Sequence, residues 1–291
     1  MKRILIIGPN NFIGDSVKAF LTSRIPAKDG SNAYGVATLS VKDEEWRGID
    51  FWVCDAVLYC ATMPQESEKA YSQEDFVSIN CDLAYEVAEK SKRDRVKQFI
   101  YVSTIDVYGI NSKIGKEIII DKNTVCRPKT LYAKSKLMAE EKLLSLSDDN
   151  FEVVIIRVPM IYGSGCAGEY TAFREYALAG KPLPIANTNR SMLHIDNFCE
   201  YLKFYIDNEV SGTFYPQNND HVSPMTLATK IAEQHDIPVK IKSLPANLLT
   251  KLSPSANKMW GGMLYAREIS DLPQLTYINF EDSIKKTERK E

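Results

Sequence analysis

The stretch ILIIGPNNFIG, residues 4–14, decides the fold. Ile4 to Ile7 is an unbroken apolar run of the kind that forms a strand buried on both faces of a sheet. Gly8 ends it, and an amphipathic segment from Phe12 to Arg24 follows with helical spacing. A strand that turns tightly into a helix aims backbone N–H groups and the positive end of the helix at one point, the place where a dinucleotide pyrophosphate binds. Gly8 allows the sharp turn and Gly14 the close approach of helix to sheet; Phe12 and Ile13 count among the expected cofactor contacts. The middle position of the loop, ordinarily glycine, is Asn11. Asparagine tolerates positive φ, so the turn survives, but its side chain is expected to intrude on the pyrophosphate.

Outward from the loop, short Ile- and Val-rich runs alternate with helical stretches. The runs are Ile4 to Ile7, Tyr34 to Val41, Ala56 to Cys60, Gln98 to Val102 and Val153 to Val158; helices are expected over Phe12 to Arg24, Gln73 to Lys92 and Leu131 to Leu146. This order reads as α/β, a doubly wound parallel sheet whose ligands sit at the carboxyl ends of the strands. Past residue 158 glycines, prolines and aromatics take over, which predicts a dinucleotide-binding domain over 1–158 and a smaller α/β substrate lobe over 159–291. A helix from Asp196 to Asn208 and a strand at Thr213 to Tyr215 are expected to return to the first part. The closing KKTERKE reads as a fraying, solvated helix end.

Composition narrows the function. The 291 residues carry 36 Lys and Arg against 38 Asp and Glu, and a net charge of −2 offers no bulk attraction to nucleic acid. With 44% hydrophobic and 25% charged residues, disordered, collagenous and coiled-coil readings fall away. No apolar run approaches the ~18 residues of a membrane span, and the run after Lys2 and Arg3 is too short for a signal peptide. An intracellular, cytoplasmic protein is expected. Six cysteines without a CxxC pair read as reduced thiols, and three histidines without HExxH spacing support no metal.

The second strand ends in ATLSVKDEE. Ser40 and Lys42 suit a 2′-phosphate, Asp43 suits a bare ribose, and Lys42 also reads as an ordinary surface charge. The balance leans slightly to NADP over NAD. In RPKTLYAKSKLMAEEKLL, Tyr132 and Lys136 stack four apart on one helix face. A tyrosine is a poor base near pH 7, yet a cation held close favours its phenolate, and Lys136 is expected to be that cation. The strand QFIYVST brings Ser103 and Thr104 to the same edge, where a hydroxyl can bind a substrate oxygen. AVLYCAT ends there with Cys60, Ala61 and Thr62, small enough to leave room for a nicotinamide ribose.

With these segments in order, the chain resembles the extended short-chain dehydrogenase/reductase family, the NAD-dependent epimerase/dehydratase group that acts on nucleotide sugars. GPNNFIG looks like its GxxGxxG loop, VSTIDVYG its hydroxyl strand, YAKSK its YxxxK, RVPMIYGSG its RPxxVYGPG, RSMLHIDNFCEYL its RDFIHVDDVAxAI, and NFEDSIKKT its closing helix. The resemblance implies a Rossmann-like fold and a catalytic set of Thr104, Tyr132 and Lys136. It also implies Asn80 supporting the back of the site, Asp50 near the adenine, Cys60 and Ala61 near the ribose, Val158 and Pro159 along the cofactor, and Arg190 on the substrate diphosphate, with Glu169 and Tyr170 nearby. Besides Asn11, two departures matter. Ile105 stands where the 4,6-dehydratases carry their acid, which disfavours dehydration, and Glu169 stands where relatives tend to place an asparagine. That carboxylate would repel a diphosphate unless it turns away or pairs with Arg190.

The activity so implied is C4 epimerisation of a nucleotide sugar through a transient 4-keto sugar on a bound nicotinamide dinucleotide. The alternative is an NADPH-dependent 4-ketoreductase; a non-catalytic dinucleotide sensor would not need the Tyr, Lys and Thr set. No nucleic-acid or membrane partner is expected, and a homodimer is suggested by family analogy alone.

Overall fold

The computed structural model describes residues 1–23, 33–185, 188–242, 254–270, 272, 275 and 278–289. Arg24 at the expected end of the first helix, Ala186 and Asn187, and Lys290 and Glu291 of the tail lie outside the described residues. The chain forms two compact units. The first comprises Met1–Gly109, Cys126–Val158 and Cys199–Phe214; the second comprises Ile110–Val125, Pro159–Phe198 and Tyr215–Glu291. Residues 110–125, which a linear division at 158 assigns to the first part, pack in the second.

The first unit is built on a six-stranded parallel sheet. Its strands are β1 (Lys2–Ile7), β2 (Tyr34–Leu39), β3 (Ala56–Tyr59), β4 (Gln98–Thr104), β6 (Glu152–Val158) and β10 (Gly212–Phe214), in the order β10-β6-β4-β3-β1-β2. Every residue of β3 and of β4 is buried, as a central parallel strand with both faces covered requires. Leu5, Ile7, Val57, Tyr59, Phe99, Tyr101, Val153 and Ile155 alternate along the strands into one core, where Val87 and Ala88 of α3 (Leu83–Arg93) and Leu143 of α4 (Leu131–Leu144) join them. The chain runs from β1 outward to β2 and then returns to β3 on the other side of β1, so the strand order reverses at the carboxyl end of β1. A crevice opens at such a switch point. Gly8 lies there: its N–H donates to the Leu39 carbonyl at 3.1 Å, and Cys60 N–H donates to Ile7 at 2.9 Å, which brings three strand ends together.

The expected helix 73–92 is interrupted once, by a π turn. A short α2 (Gln73–Val77) starts on a Ser72/Asp75 capping box, a π turn occupies Ser78–Asp82, and α3 follows. The π turn carries one residue more than an α turn and swings Asn80 into the interior, where it is fully buried. The helix Ile195–Asp207 leads to β10, which pairs in parallel with β6.

Among the described residues, the second unit has three small two-stranded pairings. β7 (Met160–Tyr162) lies beside β9 (Met192–His194), β5 (Glu117–Ile120) beside Gly262–Tyr265, and β8 (Leu183–Pro184) beside Ile241–Lys242. Tyr162, Phe173, Leu227, Ile231 and Trp260 form its core with Ile284 of the closing helix, Phe280–Glu288. That helix does not fray as expected, because Thr287 and Glu288 are buried. The Glu288 carboxylate accepts from Tyr170 Oη at 2.7 Å and Arg174 Nε at 2.8 Å, and pairs with His235 Nε2 at 2.7 Å. Among the described residues no helix is long and apolar enough to cross a membrane.

Candidate active site

The glycine loop is more tightly tied than the sequence suggests. Gly8 has φ +99°, and a Cβ there would lie 2.7 Å from the Ala61 nitrogen, so no side chain fits. The asparagine with positive φ is Asn10, at 61°, and not Asn11 as expected. The Asn11 amide is held by two local hydrogen bonds. Its Nδ2 donates to the Gly8 carbonyl, while its Oδ1 accepts from Gly14 N–H at 2.8 Å. Its own carbonyl takes the first helical bond, from Asp15 N at 3.0 Å, which makes Asn11 the N-cap of α1 (Phe12–Ser23). Local hydrogen bonding turns the amide back into the loop. The amides of Phe12 and Ile13 remain at the first turn, where a helix has no acceptor of its own.

Thr104, Tyr132 and Lys136 come together at the carboxyl edge of β4. Two caps fix the start of α4: Thr130 Oγ1 accepts from Ala133 N at 3.1 Å, and Glu68 Oε1 accepts from Tyr132 N at 2.9 Å. Tyr132 therefore occupies the first turn, its phenol close enough to the Thr104 side chain for the threonine to pull its pKa downward. Thr104 Oγ1 also accepts from Asp106 N at 3.1 Å, which locks its rotamer. One turn further along α4, Lys136 is buried; its Nζ donates to the Val102 carbonyl at 3.0 Å and lies 5.8 Å from the Tyr132 ring centre.

Electrostatics within the chain run opposite to the sequence expectation. Burial, with the negative charges of Asp106 and Glu66 adding to it, pushes the Tyr132 phenol well above its ordinary value, and the Thr104 side chain only partly opposes this. Burial also lowers Lys136 to about 7 against the raising influence of Cys60 and Glu140. Desolvation acts on both partners and disfavours each one's charged form.

Two other expected contacts face elsewhere. Ser103 is buried and donates to Glu140, which holds Arg157 through Nη2 at 2.6 Å; Arg157 Nη1 in turn reaches Tyr108 Oη at 2.9 Å. Successive residues of a strand point to opposite faces, so with Thr104 in the site Ser103 is turned away from it. Asn80 uses its whole amide as a clamp. Oδ1 accepts from Met63 N at 2.7 Å and Thr62 Oγ1 at 3.1 Å, and Nδ2 donates to Met63 O at 3.2 Å and Ser135 Oγ at 3.0 Å. With both donors and both acceptor positions filled, it fastens the loop after β3 to α4 and has none left for a cofactor.

Of the remaining positions in the first unit, Cys60 is buried, and burial pushes its thiol up to about 12 despite Lys136 nearby. Ala61 is partly buried and Thr62 exposed. Ser40 is partly exposed, Lys42 and Asp50 are exposed, and Asp43 Oδ1 accepts from Glu45 N at 3.3 Å and so caps the following turn. Val158 is buried, paired in register with Thr104. In the second unit Pro159 is buried, and Arg190 Nη2 pairs with Glu169 at 3.2 Å while Nη1 donates to Lys258 O at 3.2 Å. Tyr170 is a core residue, stacked 5.2 Å from Tyr162 with its hydroxyl on Glu288, and presents nothing to a substrate. Among the described residues no group of three or more His, Cys, Asp or Glu side chains could hold a metal.

Sequence reading missed the Glu140–Arg157 pair and the Glu68 cap. The first had a signal, since Glu140 stands four residues after Lys136 on the same helix. The second, supplied from 64 residues away, had none.

A switch-point glycine loop beside a Thr, Tyr and Lys cluster defines a nicotinamide-dependent enzyme on a doubly wound sheet. The chain belongs to the NAD dependent epimerase/dehydratase family, whose model matches residues 31–215. It is similar to a UDP-glucose 4-epimerase of Vibrio cholerae, 26% identical over 260 residues that make up 81% of this chain and 77% of that protein. Its fold is similar to that of UDP-glucuronic acid 4-epimerase from Bacillus cereus in complex with NAD, with TM-score 0.71 at 16% identity over 98% of this chain and 96% of that one. It is likewise similar to dTDP-4-dehydrorhamnose reductase from Bacillus anthracis str. Ames in complex with NADP, with TM-score 0.73 at 15% identity over 99% and 98% of the two chains.

Proposed function

We propose that the chain is a nucleotide-sugar 4-epimerase. The observation that carries this reading is the Thr104, Tyr132 and Lys136 cluster, with the Lys136 ammonium 5.8 Å from the Tyr132 ring centre and the Thr104 side chain acting on the same phenol. Similarity over most of the chain to a UDP-glucose 4-epimerase supports the choice among family activities. The residues also fit a dinucleotide: the loop with no room for a side chain at Gly8 and the first-turn amides of Phe12 and Ile13 suit a pyrophosphate. When bound, NAD or NADP supplies the hydride acceptor and donor and, in its oxidised form, a positive charge.

In this reading Thr104 holds the sugar C4 oxygen and Tyr132 takes the hydroxyl proton. Lys136 stabilises the phenolate that results. Cys60, Ala61 and Val158 line the cofactor, Asn80 positions the loop before it, and Asp50 lies toward the adenine. The second unit serves as the substrate lobe, where Arg190 meets the diphosphate once Glu169 yields it. Ile105 cannot donate a proton, so water is not eliminated.

One observation favours a second reading, an NADPH-dependent 4-ketoreductase. Ser40 is partly exposed and Lys42 exposed after β2, while the exposed Asp43 carboxylate is engaged by Glu45 N, which suits a 2′-phosphate better than a bare ribose. Heat-denaturing the purified protein separates the two, since an epimerase releases a retained dinucleotide and a ketoreductase, which exchanges its cofactor, releases none. Tyr132→Phe should abolish turnover of UDP sugars with dinucleotide binding near wild type; undiminished turnover would remove Tyr132 from the mechanism.

A further inference from the structure

Lys136 Nζ lies 4.5 Å above the ring centre of Tyr101, closer than to the Tyr132 ring at 5.8 Å. Tyr101 is fully buried in the middle of β4, its ring stacked on Tyr59 at 5.9 Å. Its hydroxyl donates to the Asn80 carbonyl at 2.7 Å, so the ring is pinned at its tip to the π turn. The ring plane is thus held from the strand at one end and from the helix at the other. Its face can only be presented to α4 in one orientation.

We propose that Tyr101 is a positioning residue: its fixed aromatic face seats the Lys136 ammonium, keeping it charged and aimed at the Tyr132 end of the site. A cation over a ring face is attracted by the ring quadrupole, and the attraction grows where water is excluded. The Val102 carbonyl supplies one hydrogen bond to the same ammonium, and the ring supplies a second favourable side without another carboxylate. Facing this ammonium are Cys60 from the end of β3, Glu140 from its own helix, and the phenols of Tyr101 and Tyr132. Glu140 is itself neutralised by Arg157 from β6; Asp106 and Glu66 bear on Tyr132, and Asp15 from α1 on Cys60. Removing the Tyr101 ring takes away support for the cation without altering any formal charge.

The reason the charge matters rests on the epimerase reading, but its test does not. Lysines labelled with 13C and 15N are followed by NMR across pH, with the Lys136 signal identified by its loss in Lys136→Met. In wild type the Lys136 Cε protons are expected upfield, displaced by the ring current. Tyr101→Phe keeps the face and should titrate as wild type, whereas Tyr101→Leu should lower the Lys136 proton affinity about tenfold. Unchanged titration in Tyr101→Leu, or an equal fall in Tyr101→Phe, overturns the proposal. Should Tyr101→Leu fail to fold, absence of the upfield shift in wild type overturns it instead. No nucleotide is needed, so a chain inactive on every UDP sugar would sink the epimerase reading and leave this result standing.

Discussion

Lys136 and Tyr132 make opposite demands on pH, and each can be measured. An unfolded lysine keeps its proton to ~10.4, whereas folded Lys136 gives it up near 7. Between those values the unfolded chain binds more protons, so this lysine opposes folding fully below pH 7 and progressively less as pH rises toward 10. Lys136→Met should therefore stabilise the fold by roughly 2 to 4 kcal/mol at pH 7. In urea titrations that advantage should shrink by pH 10. On the tyrosine side, the charge of Asp106 adds to burial in raising the phenol. Asp106→Asn should move the pH optimum of turnover downward, and an unmoved profile would mean that Tyr132 does not titrate in the rate-limiting step. Tyrosine and lysine were legible as a pair because helical spacing alone puts them on one face. The direction of their shifts was not, since it depends on burial and on charges contributed by other segments.

At the scale of elements, the glycine loop and the start of α4 rest on side chains that cap helices. Asn11→Ala removes the N-cap of α1 and should lower stability by about 1 kcal/mol in denaturant melts. Asn11→Gly should not tighten dinucleotide binding, because the side chain it deletes lies within the loop. The strand–loop–helix unit could be read from short-range pattern because each residue's role there is set by its neighbours. The choice between Ser103 and Thr104 was also within reach, as adjacent strand residues cannot both face one site. The π turn at Ser78–Asp82 was not: it shifts the apolar register by a single residue, and the segment before it, Gln73–Val77, is too short to show the offset.

Over the whole molecule the central strands were legible from their apolar runs, and the second unit only in fragments. Its strands are two to four residues long, and its buried polar groups depend on partners far apart in sequence. Glu288 illustrates this. Burial alone would raise its carboxyl, yet bonds from His235, Tyr170 and Arg174 outweigh burial and hold it below the ordinary range. A carboxylate so lowered stabilises above its unfolded value and loses that contribution as pH falls through the folded one. Glu288→Gln should lower stability by roughly 1 to 3 kcal/mol at pH 7. In melts at progressively more acidic pH, the difference from wild type should close.

The sheet of the first unit ends on β10, whose residues 212–214 follow the 40-residue stretch Pro159–Phe198 that packs in the second unit. During synthesis β6 must therefore wait, its outer hydrogen-bonding edge bare, while the ribosome translates a segment that builds something else. An unpaired edge of Val and Ile invites other strands. Until residues 212–214 pair with it, that edge is open to a strand of another chain.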